Sequence, residues 1–310
     1  VLTKMKILIV ASYNKGYFSP FITEQAQALA DAGNTIRYFG VVGHGVFGYL
    51  KHIRALNELI QEEQPDVIHA HYGLCGLLAG LQRRVPVVTT YHGSDINLPR
   101  VRMLSRLTMR LSSWNIFVSR STLDIVKPKH KYSLIPCGID LTDDQLTDKA
   151  AARAAMNLGP EERYVLFAGA FDNRVKNSRL AKQTVELLHM PVRLIELKGY
   201  TRQQVTLLMC AADAFLMTSF TEGSPQVVKE AMACGCPVVS VDVGDVRERT
   251  EGVPGCYVAS CHDASELAAL LREALAFEGK TPGREKIIAD GLTNQQVAEK
   301  LMQIYHQVSE

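Results

Sequence analysis

AFLMTSFTEGSPQVVKEAMACGCPVVSVDVG, residues 214–244, decides the fold class of this 310-residue chain. Its first four residues, 214–217, are apolar and have the length of a buried strand. A polar loop follows, and the stretch closes on a second, β-branched run at 238–241. Between the two runs, Ser224 has the identity of a helix N-cap and Pro225 suits the first helical position. The helix then reaches Ala233 and stops at Gly235. At about 100° per residue, Val227, Val228, Ala231 and Met232 share one stripe, with Gln226 and Glu230 on the far side. Strand, loop, helix and strand in this order form the repeating unit of a parallel α/β protein.

Outward from this stretch the same alternation covers the chain. Strands are expected at residues 6–11, 35–41, 66–70, 87–91, 116–118 and 133–135, with helices at 21–32, 53–61, 102–111 and 122–127. The pattern breaks after Ile139, and the acidic, polar segment 140–149 reads as a linker. A second series has strands at 165–168, 193–197, 214–217 and 238–241 and helices at 177–188, 202–212, 225–233 and 265–276, then a terminal helix at 294–308. The division is an N-terminal Rossmann-like domain over residues 1–142, a C-terminal one over 143–292, and a final helix, 293–310, crossing back to the first. The expected fold class is α/β, two doubly wound domains facing a central cleft, with ligands beyond the carboxyl ends of the strands.

Bulk composition narrows the function classes. Charged residues make up 21% and apolar ones 47%, the mix of a folded globular protein. A net charge of +2 argues against a dedicated nucleic-acid binder. The seven cysteines are an odd number set mostly in apolar runs, which fits a reduced, cytoplasmic setting. Cys234-x-Cys236 and Cys256-x4-Cys261-His262 lack the paired spacing of a structural zinc site, so no metal is expected. No apolar run is long enough to span a membrane.

Glu222 lies just before the helix and Glu230 within it, roughly 10 Å apart at a rise of about 1.5 Å per residue. The helix start between them offers free N–H groups and positive dipole density to a phosphate. Carboxylates on either side suit the diols at the two ends of a nucleoside-diphosphate sugar. Taken alone, two glutamates at this spacing are weak evidence and fit a dipole complement or a solvated helix face better.

The whole stretch resembles the retaining glycosyltransferases of family 4, which have the GT-B fold and a Glu-x7-Glu signature, here Glu222 to Glu230 followed by Ala231-Met232-Ala233. The resemblance implies that Glu222 holds hydroxyls of the transferred sugar and Glu230 the ribose diol. Gly223, Ser224 and Pro225 would cradle phosphate or sugar through their backbone. In the family, an Arg just after a glycine and a Lys a few residues later hold the diphosphate. Lys176 matches the Lys, Ala170 stands at the Arg position, and Arg174 supplies a charge from the same loop. Lys198, Gly199 and Tyr200 correspond to the loop against the nucleobase, and Gly16 to what remains of a glycine-rich loop near the donor phosphate. His92, leaving a strand before Gly93, would reach the reacting sugar as the catalytic partner of Glu222; His71 reads better as a structural hydrogen-bonder. No acceptor code is readable in residues 42–50.

The implied activity moves a sugar from a UDP- or GDP-sugar to a hydroxyl of a carbohydrate or lipid-linked acceptor, with no metal or other cofactor and no nucleic acid, in polysaccharide or glycolipid assembly. A sugar-nucleotide epimerase or hydrolase of the same fold, or a non-catalytic nucleotide-sugar binder, is the alternative. Arg100, Arg102, Arg106 and Arg110 read either as a peripheral contact with the inner face of a membrane or as a solvated helix face.

Overall fold

The computed structural model describes residues 3–129, 131–141 and 147–310. The chain separates into two compact units, Val1–Asp140 with Leu292–Glu310, and Leu141–Gly291. Most of the 140–149 segment, residues 142–146, lies outside the described residues.

The first unit runs β1 (Lys6–Ser12), α1 (Pro20–Asp31), β2 (Thr35–Val41), α2 (Gly45–Leu50), α3 (Ile53–Glu63), β3 (Val67–His71), α4 (Gly73–Gly80), β4 (Val87–Tyr91), α5 (Ser94–Asn97), α6 (Pro99–Leu111), β5 (Trp114–Phe117), α7 (Arg120–Val126) and β6 (Tyr132–Leu134). These strands make one parallel sheet in the order β2-β1-β3-β4-β5-β6. Alternate side chains of β1 explain its unbroken apolar run. Ile7, Ile9 and Ala11 enter a core shared with Ile22 and Leu29 of α1, while Leu8 and Val10 pack against Leu56 and Ile60 of α3 and Leu78 of α4.

The second unit runs α8 (Lys149–Ala155), β7 (Tyr164–Phe167), α9 (Ser178–Glu186), β8 (Arg193–Glu196), α10 (Arg202–Ala211), β9 (Ala214–Met217), α11 (Gln226–Ala233), β10 (Val238–Val241), α12 (Val246–Thr250), β11 (Cys256–Ala259), α13 (Ala264–Ala276) and α14 (Gly283–Ala289). Its parallel sheet has the order β11-β10-β9-β7-β8. The final helix α15 (Asn294–Ser309) belongs to the first unit, where Val297, Leu301 and Tyr305 join the core beneath α1.

Several elements differ from expectation. Edge strand β11 was not anticipated; it is a short run, Cys256–Ala259, with three of its four residues only half-buried. Lys149, placed in the linker, opens α8, whose N-cap Asp148 accepts from the N–H of Ala151. Residues 45–50, for which no helix was expected, form α2. Helix α11 starts at Gln226 with Pro225 at the N-cap, one residue later than expected. The Ser224 hydroxyl donates to Asp245 Oδ2 at 2.8 Å and makes no side-chain cap.

Helix α4 was masked by its glycines. A Cβ on Gly73, Gly76 or Gly80 would come within 2.3 Å of Ser105 Oγ, 2.5 Å of Thr108 Cγ2 and 2.8 Å of Leu111 Cβ, so the stripe lets α4 pack directly on α6. Gly76→Ala is expected to cost about 1–3 kcal/mol through overpacking, read as a lower urea midpoint at unchanged m-value. A midpoint equal to wild type would show that the α4–α6 contact can spread.

Candidate active site

In each sheet the chain reverses its direction of travel between two neighbouring strands, and such switch points place ligands beyond the strands' carboxyl ends. In the second unit the reversal falls between β7 and β9. The loop after β7 carries Arg174 and Lys176 in a short 3₁₀ turn, and the loop after β9 carries Glu222. Thr218 stitches the two together: its hydroxyl donates to the carbonyls of Lys176 and Asn177, each at 3.0 Å. The N–H of Phe220 adds a bond to the carbonyl of Val175. Lys176 Nζ thereby meets Glu222 Oε1 at 2.8 Å. Its stem lies over Gly169, where a Cβ would come within 2.9 Å of Lys176 Cγ. Arg174 is exposed and makes no ion pair among the described residues.

Glu230 faces Arg202 of α10 at 3.0 Å, a partner that sequence reasoning did not foresee. After β8, Lys198 pairs with Asp172, Gly199 turns with φ +84°, and Tyr200 is 39% exposed. Ala170 is followed by Phe171, whose N–H donates to Glu196.

Behind the Gly223–Ser224–Pro225 loop lies a buried polar brace that the sequence did not disclose. Lys229, fully buried, donates to Ser224 Oγ at 3.2 Å, and Ser224 in turn donates to Asp245. Asp245 lies beside Arg249 at 3.3 Å, and Arg249 also pairs with Asp290. Burial raises the Asp245 carboxyl against the lowering charges of Lys229 and Arg249. Gly244 closes the brace: at φ +63° a Cβ there would stand 2.4 Å from the carbonyl oxygen of Gly223.

In the first unit the switch point lies between β1 and β3. A cavity of about 480 Å³ opens there, lined by Ser12, Lys15, Tyr17, Tyr49, Tyr72 and Asp95 among others. Gly16 turns at φ +76° within the loop after β1 but does not line it. Asp95 ties two loops together by accepting from the N–H groups of His92 and Gly93 through Oδ1 and of Gly73 through Oδ2.

His92 follows β4, and both of its ring nitrogens face protein: Nε2 lies 3.0 Å from His71 Nδ1, and Nδ1 lies 3.6 Å from Cys137 Sγ. Phe21 and Tyr72 flank its ring, with centroids at 4.9 and 4.5 Å. His71 stacks on His69, which meets Thr90 Oγ1 at 2.7 Å and the Tyr305 hydroxyl of α15 at 2.6 Å. The strand spacing His69-x-His71 and the place of His92 before Gly93 were the sequence signals for this cluster.

Burial holds these groups away from their ordinary titration. It lowers His69 to about 3 and His71 in the same direction, and raises Asp95 to about 6. The two histidines favour the fold above their unfolded pKa near 6.5, and this contribution is lost as pH falls below it. Asp95 acts oppositely, favouring the fold below about 4 and losing that contribution as pH rises through about 6. Around pH 5 these groups together take up about one proton on unfolding, so stability should fall by roughly 1.4 kcal/mol per pH unit on acidification. Urea unfolding across pH 4.5–6 measures the slope, and a flat profile would contradict neutral burial of the histidines.

Two parallel doubly wound domains with polar side chains gathered at their switch points define the GT-B fold. Solved structures agree: sucrose-phosphate synthase of Thermosynechococcus elongatus superposes with a TM-score of 0.82 at 18% identity, covering 98% of this chain and 99% of that one. HepE of Anabaena, solved in complex with UDP, superposes at 0.74 and 17% identity, covering 98% and 100%. The chain belongs to the family 4 glycosyltransferases: residues 18–143 match the Glycosyltransferase Family 4 model and residues 165–276 the Glycosyl transferases group 1 model. D-inositol 3-phosphate glycosyltransferase of Mycolicibacterium gilvum is 27% identical in an alignment 271 positions long that covers 72% of this chain and 61% of that protein. The chain thus spans about three-fifths of that relative's length.

Proposed function

We propose that the chain is a retaining glycosyltransferase that moves a sugar from a nucleoside-diphosphate sugar to an acceptor hydroxyl in polysaccharide or glycolipid assembly, without a metal. The observation that carries this reading is the Lys176–Glu222 pair at the β7/β9 switch point, braced by Thr218. On this reading Lys176 and Arg174 neutralise the departing diphosphate, helped by the positive end of the α11 dipole. Glu222 accepts from sugar hydroxyls, Glu230 from the ribose diol once Arg202 gives way, and the Lys198–Gly199–Tyr200 loop lies against the base. His92 serves the transferred sugar, held in place by His71. The Tyr-lined cavity of the first unit suits a carbohydrate acceptor, because sugar faces stack on aromatic rings.

The protein is proposed to act in the cytoplasm. No helix among the described residues is long and apolar enough to cross a membrane. On α6, Arg100, Arg106 and Arg110 are exposed beside Met103 and Leu107 and suit a peripheral membrane contact. Arg102 leaves that set, since its guanidinium donates to the carbonyls of Ile96 and Asn97.

A thermal-shift panel of UDP-, GDP- and ADP-sugars tests the donor. A ligand at a hundred times its Kd stabilises by about 2.7 kcal/mol. One donor class should raise Tm in the wild type and not in Glu222→Ala, and transfer should require an added acceptor. No shift with any donor would overturn the reading, while product formed without acceptor would point to an epimerase or hydrolase.

A further inference from the structure

The carboxyl ends of the first unit's strands hold the groups described above, but four cations, Arg83, Arg84, Arg110 and Lys131, meet at the opposite end. Between residues 81 and 131 the chain has ten Lys and Arg against two Asp, in a protein that is nearly balanced overall. One of those two, Asp95, is buried and spent on backbone N–H groups. At the amino ends of β4, β5 and β6 a cavity of about 430 Å³ is lined by Arg83, Arg84, Arg110, Lys131, Ser112 and Ser113, with no carboxylate on its wall.

The rim is built rather than loose. Buried Gln82 accepts from the N–H groups of Arg84 and Val85 and donates to the Val85 carbonyl, fixing the turn that presents Arg83 and Arg84. Lys131 sits at φ +57°, a conformation that costs a non-glycine residue energy, and Asn115 holds it there through its backbone N–H and side-chain amide. Arg84, Arg110 and Lys131 make no ion pair among the described residues. Like charges converging on one cavity repel each other unless an anion joins them.

We propose that this cavity binds a phosphate group, the chemistry shared by a phospholipid head group and a soluble phosphate ester, at a site separate from the donor and acceptor groups. Guanidinium groups grip phosphate oxygens bidentately, and the Ser113 hydroxyl, which accepts from the N–H of Val87, keeps its own proton to donate.

Binding of inorganic pyrophosphate by calorimetry, counting only the step that Lys176→Ala leaves in place, and of phosphatidylglycerol-containing against pure phosphatidylcholine vesicles by flotation, tests it without reference to enzymatic activity. The wild type should bind at least one of the two anionic probes, more weakly as salt rises. Arg84→Glu/Lys131→Glu should weaken that binding roughly tenfold or more at unchanged Tm, whereas Arg54→Glu, on α3, should not. Loss of pyrophosphate binding assigns the site to soluble esters, and loss of vesicle binding alone assigns it to lipid. No binding to either probe by the wild type, or equal binding by the double variant, overturns the proposal.

Discussion

Lys176→Ala should lower kcat/KM by about 10²–10³, most of it in kcat, while Tm stays within a degree or two of wild type. The magnitude is that of removing one preorganised donor from a position where charge develops in the transition state. The diphosphate gains negative charge as the sugar departs, so an ammonium held beside it contributes more in the transition state than in the ground state. Stability should barely change, because a partly exposed ion pair contributes about 0–1 kcal/mol. At 2.8 Å the Lys176 and Glu222 side chains are coupled, so Lys176→Ala/Glu222→Gln should lose less than the product of the two single losses. Arg174→Ala should cost less than Lys176→Ala, since Arg174 is exposed and unbraced. If Lys176→Ala kept a third of wild-type kcat/KM, the assignment of the diphosphate to this loop would fail.

Asp245→Ala should destabilise the protein by about 3–5 kcal/mol, the usual cost of breaking a buried charge cluster from one side. Lys229 is fully buried and Asp245 is 2% exposed, so removing the carboxylate takes a nearby negative charge away from a buried ammonium. Arg249 suffers less, because it keeps Asp290. Adding Lys229→Met to Asp245→Ala should recover a good part of the loss by removing the buried ammonium, and urea unfolding of the wild type, both single variants and the double variant completes the cycle. The donor loop should feel the change too, as the Ser224 hydroxyl loses its acceptor and KM for the donor rises. Additive destabilisation by the two substitutions would mean that Lys229 and Asp245 do not answer each other.

What was legible in advance follows from how far a signal travels along the chain. Apolar runs such as residues 6–11 and 238–241 marked buried strands because two covered faces impose one local composition. The Glu222–Glu230 spacing was legible for the same reason, lying within one strand–helix junction. Ser224 was misread as an N-cap because its identity suits both roles, and only Asp245, 21 residues away, decides between them. His71 was read as structural and His92 as reactive, yet the two rings are hydrogen-bonded across neighbouring strands, 21 positions apart in sequence.

By itself, the sequence determined the two parallel α/β series, the helix start between Glu222 and Glu230, and the family to which these belong. Residue periodicity and turn chemistry are local, and they suffice for those. Tertiary structure alone decided that Lys176 reaches Glu222, that the glycine stripe of α4 admits α6, and that Lys229 is buried. The cations at residues 83, 84, 110 and 131 likewise share one cavity only in the folded unit. Each of these depends on which strands become neighbours, and strand order is set by burial of the whole sheet, which no single stretch of chain encodes.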